Sequence, residues 1–182
     1  PYPDQLDFIE LYNAGRSPIP LHGLKLSRTR ARTKDSVVLN VYRYLYPNEL
    51  VAICSDTQVL KSQYTCGSLI QHDIPPMNND SGSLTLHYRD RLLDSVHYTA
   101  SMHTPLLEDT EGVSLERIST NAPSTNPSNW HSCAQTSGWA SPGIGNSQST
   151  SLGSNARFTL SSSVFSPNQD CYNDFLLLNY QF

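Results

Sequence analysis

Apolar residues in this chain come in short runs, each closed within a few positions by a turn signal, and that punctuation leaves little room for helices. Residues 7–12, which include Phe8, Ile9, Leu11 and Tyr12, stop at Asn13-Ala14-Gly15. Runs follow at 21–26, 37–44 and 49–54, the last two divided by Pro47-Asn48. Residues 84–88 alternate strictly, and successive side chains of a strand point to opposite faces. Leu84, Leu86 and Tyr88 therefore face one way, and Thr85 and His87 the other. Arg89-Asp90-Arg91 is a polar turn and 92–98 a return strand, which together predict a hairpin. A further strand is expected at 113–118, with a bulge where its alternation breaks at Ile118. The one helical candidate is 57–64, capped by Asp56, with Val59, Leu60 and Tyr64 facing inward. Many short strands with at most one short helix predict an all-β sandwich or barrel.

Residues 121–154 differ in kind, being dominated by Ser, Thr, Asn, Pro and Gly with Trp130 and Trp139 embedded. Indoles are expensive to leave in water, so part of this stretch is expected to lie against the sheets with the indole N–H groups finding acceptors. The division that follows is a first domain at 1–147, a Ser/Gly linker at 148–155 and two more strands within 156–182. Two strands do not make a stable domain, and 175–182 is apolar and β-prone. That run is expected to pair with a sheet edge of the first domain, in the same chain or a neighbouring one.

The balance of 12 basic against 16 acidic residues gives a formal net charge of −4 and a pI near 5.8. That argues against a dedicated nucleic-acid binder, which carries a basic face. The one basic run, Lys25, Arg28, Arg30, Arg32 and Lys34, reads as a solvated strand edge or loop or, alternatively, an anion or nucleic-acid contact. No stretch reaches the ~20 apolar residues of a membrane span, so membrane insertion is not expected. The sequence opens at Pro1 without an initiator Met, as a fragment or processed product would.

No catalytic signature stands out. There is no nucleophile elbow, phosphate loop or dinucleotide fingerprint, so catalytic residues, cofactors and metal ligands are all expected to be absent. The four cysteines, Cys54, Cys66, Cys133 and Cys171, contain no CxxC pair, and their disulfide state is left open. Asp94, His97 and His103 invite a metal site, with Glu108, Asp109 and Glu111 close by, but an odd spacing puts Asp94 and His97 on opposite faces of a strand. Asp170, Asn173 and Asp174 offer oxygens to calcium, or simply make a turn. Tyr42, Tyr44 and Tyr46 share one face of a strand, as a stacking platform for sugars or peptides or as one side of a packed interface.

Several segments, in order, resemble the lamin tail domain family. Asp7-Phe8-Ile9-Glu10-Leu11-Tyr12-Asn13 is similar to its early strand, and Leu21-His22-Gly23-Leu24-Lys25-Leu26 to its Leu-x-Gly-Trp-x-Leu strand, with Leu24 in place of Trp. Leu50-Val51-Ala52-Ile53-Cys54-Ser55-Asp56, Asn78-Asn79-Asp80-Ser81-Gly82-Ser83-Leu84-Thr85-Leu86 (with Ser83 where an Asp is common) and Asp94-Ser95-Val96-His97-Tyr98 follow, then Gly112-Val113-Ser114-Leu115-Glu116-Arg117, Trp130 and Ser141-Pro142-Gly143. Residues 165–174 resemble the opening of immunoglobulin-like domains of secreted bacterial proteins. The resemblance implies an immunoglobulin-like antiparallel β-sandwich followed by two C-terminal strands. It further implies a non-catalytic structural or protein-interaction module of an exported, multidomain bacterial surface protein, partnered by neighbouring domains or other proteins. Self-association through the C-terminal strands, and a carbohydrate- or peptide-binding role beside a catalytic domain, are the expected variants. A metal-dependent hydrolase is the remaining alternative.

Overall fold

The computed structural model describes residues 5–30, 33–149, 157–160, 166–167 and 177–181. The elements in chain order are β1 (Ile9–Tyr12), β2 (Ile19–Pro20), β3 (Leu24–Arg30), β4 (Thr33–Val38), β5 (Tyr44–Leu45), β6 (Leu50–Cys54), α1 (Thr57–Gln63), β7 (Leu69–Gln71), β8 (Ser81–Tyr88), β9 (Arg91–Thr99), β10 (Leu115–Arg117), β11 (Trp130–Ser132), β12 (Arg157–Leu160) and β13 (Leu178–Gln181), with three short 3-10 turns. The chain forms two compact units, Pro1–Ser149 and Thr150–Phe182.

In the first unit, β1, β6 and β7 make a three-stranded sheet and β4, β3, β8 and β9 a four-stranded one, with β2–β5 and β10–β11 as two-stranded pairs. The two larger sheets share one core. Leu11, Val51, Ile53 and Ile70 come from the first, Leu24 and Leu26 from the second, and Leu21, Leu39 and Leu45 fill between them. Leu86 and Tyr88 pack against this cluster, on the face that their alternation predicts. Fully burying each such side chain contributes roughly 1.5–3 kcal/mol.

The sheets are not purely antiparallel. β7 runs parallel to β6, with Ala52 opposite Leu69 and Cys54 opposite Gln71. A parallel pair needs a crossover, and α1 supplies it. Asp56 caps that helix by accepting from the Gln58 and Val59 N–H groups at 2.8 and 3.0 Å. Leu60 and Tyr64 are buried as expected, whereas Val59 is 41% exposed and corrects that part of the reading. In two turns of helix a second apolar stripe has nothing to pack on.

The run 37–44 is also divided. Val38 ends β4, and Leu39 leaves the sheet, donating its N–H to the Leu24 carbonyl at 2.8 Å and accepting from Gly23 at 2.9 Å. The chain then rejoins at β5, where Tyr44 pairs with Pro20 and Leu45 with Ile19. The β8–β9 hairpin forms over Ser81–Tyr88 and Arg91–Thr99, and its register slips between Leu86 and His87. The β10–β11 register runs without a shift, and among the described residues the register shift lies in the hairpin.

The polar stretch after β10 is held down, as its tryptophans suggest. Trp130 Nε1 donates to the Ser124 carbonyl at 2.8 Å, and the Ser114 N–H donates to the Trp139 carbonyl at 2.9 Å. Gly67 and Ser68 donate their N–H groups to the Pro142 and Gly143 carbonyls at 2.9 and 3.1 Å. The two backbones meet so closely that a Cβ on either Gly67 or Gly143 would overlap the other chain. Gly143 also has φ +72°, a conformation that glycine adopts without strain.

In the second unit, β12 pairs antiparallel with β13, Phe158 opposite Tyr180. Among the described residues these two strands pair with each other as a two-stranded sheet. Residues 161–165, 168–176 and 182, including Asp170, Cys171, Asn173 and Asp174, lie outside the described residues, as do Pro1–Asp4, Ala31, Arg32 and 150–156.

Candidate functional site

The short β2–β5 pair carries the most exposed aromatic surface of the first unit. Alternation along 42–46 turns Leu45 into the core and leaves Tyr42 85%, Tyr44 56% and Tyr46 60% exposed. Tyr44 lies opposite Pro20 on β2. His22, two residues further along, stacks on Tyr42 with ring centroids 4.4 Å apart and planes at 27°. The result is a strip of rings on one side of a sheet, with residues i and i+2 roughly 7 Å apart along the strand.

The strip is held from below. Leu21 donates its N–H to the Arg43 carbonyl at 2.9 Å. The Arg43 guanidinium pairs with the Glu49 carboxylate, which also accepts from the Tyr46 N–H at 2.8 Å. The Tyr46 N–H first, and Arg43 as well, hold the Glu49 carboxyl below its ordinary range. Asn48 takes the left-handed conformation at φ 62°, and its side chain accepts from the Tyr12 hydroxyl at 3.1 Å. Charge pairing and a tight turn thus fix the backbone while the tyrosine rings stay exposed. Rigid support beneath amphipathic rings suits a binding face.

The sequence shows Tyr42, Tyr44 and Tyr46 directly, because their spacing is two. It does not show His22 or Pro20 beside them. Their placement depends on the pairing of Ile19 with Leu45, a register set across 26 residues of chain.

The Asp94, His97 and His103 trio is not brought together. Asp94 accepts from the Ser124 hydroxyl and faces Arg117 at 3.4 Å. His97 Nδ1 lies 2.9 Å from Ser83 Oγ across the hairpin, and His103 Nδ1 lies 3.0 Å from Ser132 Oγ. Burial, with His131 beside it, lowers the His103 pKa. Asp109 accepts from the Glu111 N–H at 3.0 Å, closing a local turn. Among the described residues no three His, Cys, Asp or Glu side chains gather as a metal would need.

A second polar centre lies inside the unit, where sequence reasoning expected only strand. Glu116 is 2% exposed. Its carboxylate accepts from Ser141 Oγ at 2.6 Å, Ser147 Oγ at 2.7 Å and the Gln148 N–H at 3.1 Å. Glu10 accepts from the Gly143 N–H at 2.7 Å. Burial, opposed by that N–H and reinforced by the Glu116 charge, pushes the Glu10 pKa up to about 7. Burial and the Glu116 carboxylate also push the Cys133 thiol up to about 11. These groups point inward and tie 141–148 to β1 and β10. Cys54, Cys66 and Cys133 are free thiols. Burial raises the pKa of Cys54 and Cys66 as well, so all three lack the thiolate character of a nucleophile.

No helix among the described residues is long and apolar enough to cross a membrane. No protein-family model and no curated protein sequence matches this chain.

Proposed function

We propose that the larger unit is a non-catalytic interaction module whose docking face is the ring strip of Tyr42, Tyr44, Tyr46, Pro20 and His22. The observation that carries this reading is the exposure of three tyrosines on one side of a rigidly braced strand pair. Tyrosine supplies large contact area for little side-chain entropy, which is why it is enriched where proteins meet. The shared core of the two larger sheets supports an immunoglobulin-like sandwich, and the resemblance to lamin tail domains adds the setting of an exported, multidomain surface protein. The partner in this reading is a neighbouring domain or a separate protein. The His22–Tyr42 stack favours a second reading, in which the same rings stack on neutral sugars.

The test compares the chain with a Tyr42→Ser, Tyr44→Ser, Tyr46→Ser variant in surface cross-linking to proteins and on an array of neutral glycans. The interaction reading expects a defined cross-linked protein that the variant loses, and no neutral glycan above background. A glycan signal that the variant abolishes would favour the sugar reading. Equal behaviour of the two chains in both assays would remove the ring strip as a docking face.

A further inference from the structure

We infer that the outer face of the four-stranded sheet binds an acidic polysaccharide, its negative groups held by lysines on either side of a row of hydroxyls. The strand register assembles this row. Ser27 of β3 lies opposite Ser36 of β4 and Thr85 of β8, and Thr85 lies opposite Ser95 of β9. Residues directly opposite share a face, so four adjacent strands each contribute one hydroxyl to a line about 14 Å long.

The flanking positions on the same face include two lysines and two histidines, beside Val38 and Leu92 on one side and Thr29 and Ser83 on the other. Two residues before Ser27 stands Lys25, opposite His87. On the other side of the row, two residues before Ser36, stands Lys34, and two residues after Ser95 stands His97. No carboxylate shares these positions. Asp35 and Asp94, the acids of β4 and β9, alternate to the opposite face, where they meet Arg28 and Arg117, both at 3.4 Å. Two further acids flank the hairpin, Asp80 just before β8 and Asp90 at the turn, both exposed and outside the paired positions named above. In a chain of net charge −4, a sheet face with two lysines and no acid is locally set against the whole. The basic run therefore does not act as one patch, because the pleat sends Lys25 and Lys34 outward and Arg28 inward.

The face also carries unmet hydrogen-bonding capacity. Ser27 is 1% exposed, and its Oγ has no partner. His87 Nδ1 is likewise buried without a partner. Buried polar atoms are nearly always paired, and leaving one unpaired is unfavourable. Both lie beside Lys25, Ser27 two positions along β3 and His87 directly opposite on β8.

The chemistry selects the ligand. The hydroxyl row runs across the face of the sheet from edge strand β4 to edge strand β9, whereas a peptide strand would join along the free side of either edge and not across that face. The row and its two lysines carry no Phe, Tyr or Trp to serve as a stacking platform for nucleic-acid bases. Two lysines are few for a duplex or a lipid surface. A hydroxyl-rich chain bearing spaced carboxylates or sulfates satisfies both the row and its rim.

This site uses β3, β4, β8 and β9, whereas the ring strip uses β2 and β5, so the two readings fail separately. The test is calorimetric titration of the full chain at low salt with heparin (sulfated), polygalacturonate (carboxylated), dextran (neutral) and polyglutamate (an acidic polypeptide). Binding to heparin or polygalacturonate is expected, and which of them binds identifies the anionic group. A Lys25→Glu, Lys34→Glu variant should lose on the order of tenfold or more in affinity. Lys61→Glu on α1 makes the same kind of charge change elsewhere, and should bind like the parent, as should the triple tyrosine variant. Ser36→Ala with Ser95→Ala, which leaves the charges in place, should weaken polysaccharide binding several-fold. If the glutamate variant fails to melt cooperatively, Lys25→Gln with Lys34→Gln replaces it and the same loss is expected. The inference is overturned if neither acidic polysaccharide binds, if binding survives the lysine changes, or if polyglutamate binds as tightly.

Discussion

At the scale of single residues, the group with most to reveal is Glu10. Its carboxyl is pushed up to about 7 in the folded chain by burial, against an ordinary value near 4.5. Between these values the native state holds a proton that the unfolded chain has released. Stability therefore falls as pH rises from about 4.5 to about 7, and levels off above, with a total loss of roughly 3 kcal/mol at most. Glu10→Gln keeps an oxygen to accept from Gly143 and removes the titration. Urea unfolding should find the variant close to the parent at pH 5 and more stable than it at pH 8. A gap that does not widen between the two would mean that Glu10 is solvated when charged. The burial of Glu116 was not legible in the sequence, where a glutamate between Leu115 and Arg117 reads as a solvent-facing strand position. Its partners, Ser141, Ser147 and Gln148, lie more than twenty residues further on in a stretch with no periodicity to read.

Secondary structure was legible wherever the pattern is local. The alternation 84–88 gave the hairpin and its inward face, and Asp56 gave the helix start, because both signals act within a few residues. The run 37–44 misled because it is continuous in apolarity while its hydrogen-bond partners change midway, from β3 at Val38 to β2 at Tyr44. Leu39, at the crossing, is 0% exposed although it belongs to no strand, whereas its neighbour Val38 is 55% exposed inside one. Leu39→Ala should cost about 3 kcal/mol in urea unfolding, and Val38→Ala under about 1 kcal/mol. Equal costs would show that the chain continues as one strand through this position. Both surfaces singled out here depend on pairings of this non-local kind. The three tyrosines were visible in the sequence, but their ring neighbours and the four-hydroxyl row were not.

For the whole molecule, the question is whether the first unit stands alone. Its apolar cluster draws on β1, β3, β6 and β7 with the segments between them, and its buried acids are tied by residues no later than Gln148. The polar stretch that follows β10 is thus part of the fold through Gly143 and Glu116, which is why a cut inside it would be damaging and a cut after it should not. The second unit begins at Thr150 and its described ladder is the single β12–β13 pair, which is the kind of sheet that is marginal alone. A chain ending at Ser149 should keep a cooperative melt within a few degrees of the full chain, with the same near-ultraviolet dichroism from Trp130 and Trp139. Sedimentation should find it a folded monomer. If the full chain is then a dimer, the last 33 residues act in assembly. If instead the shortened chain aggregates or loses its melt, those residues cover apolar surface that the first unit cannot bury by itself.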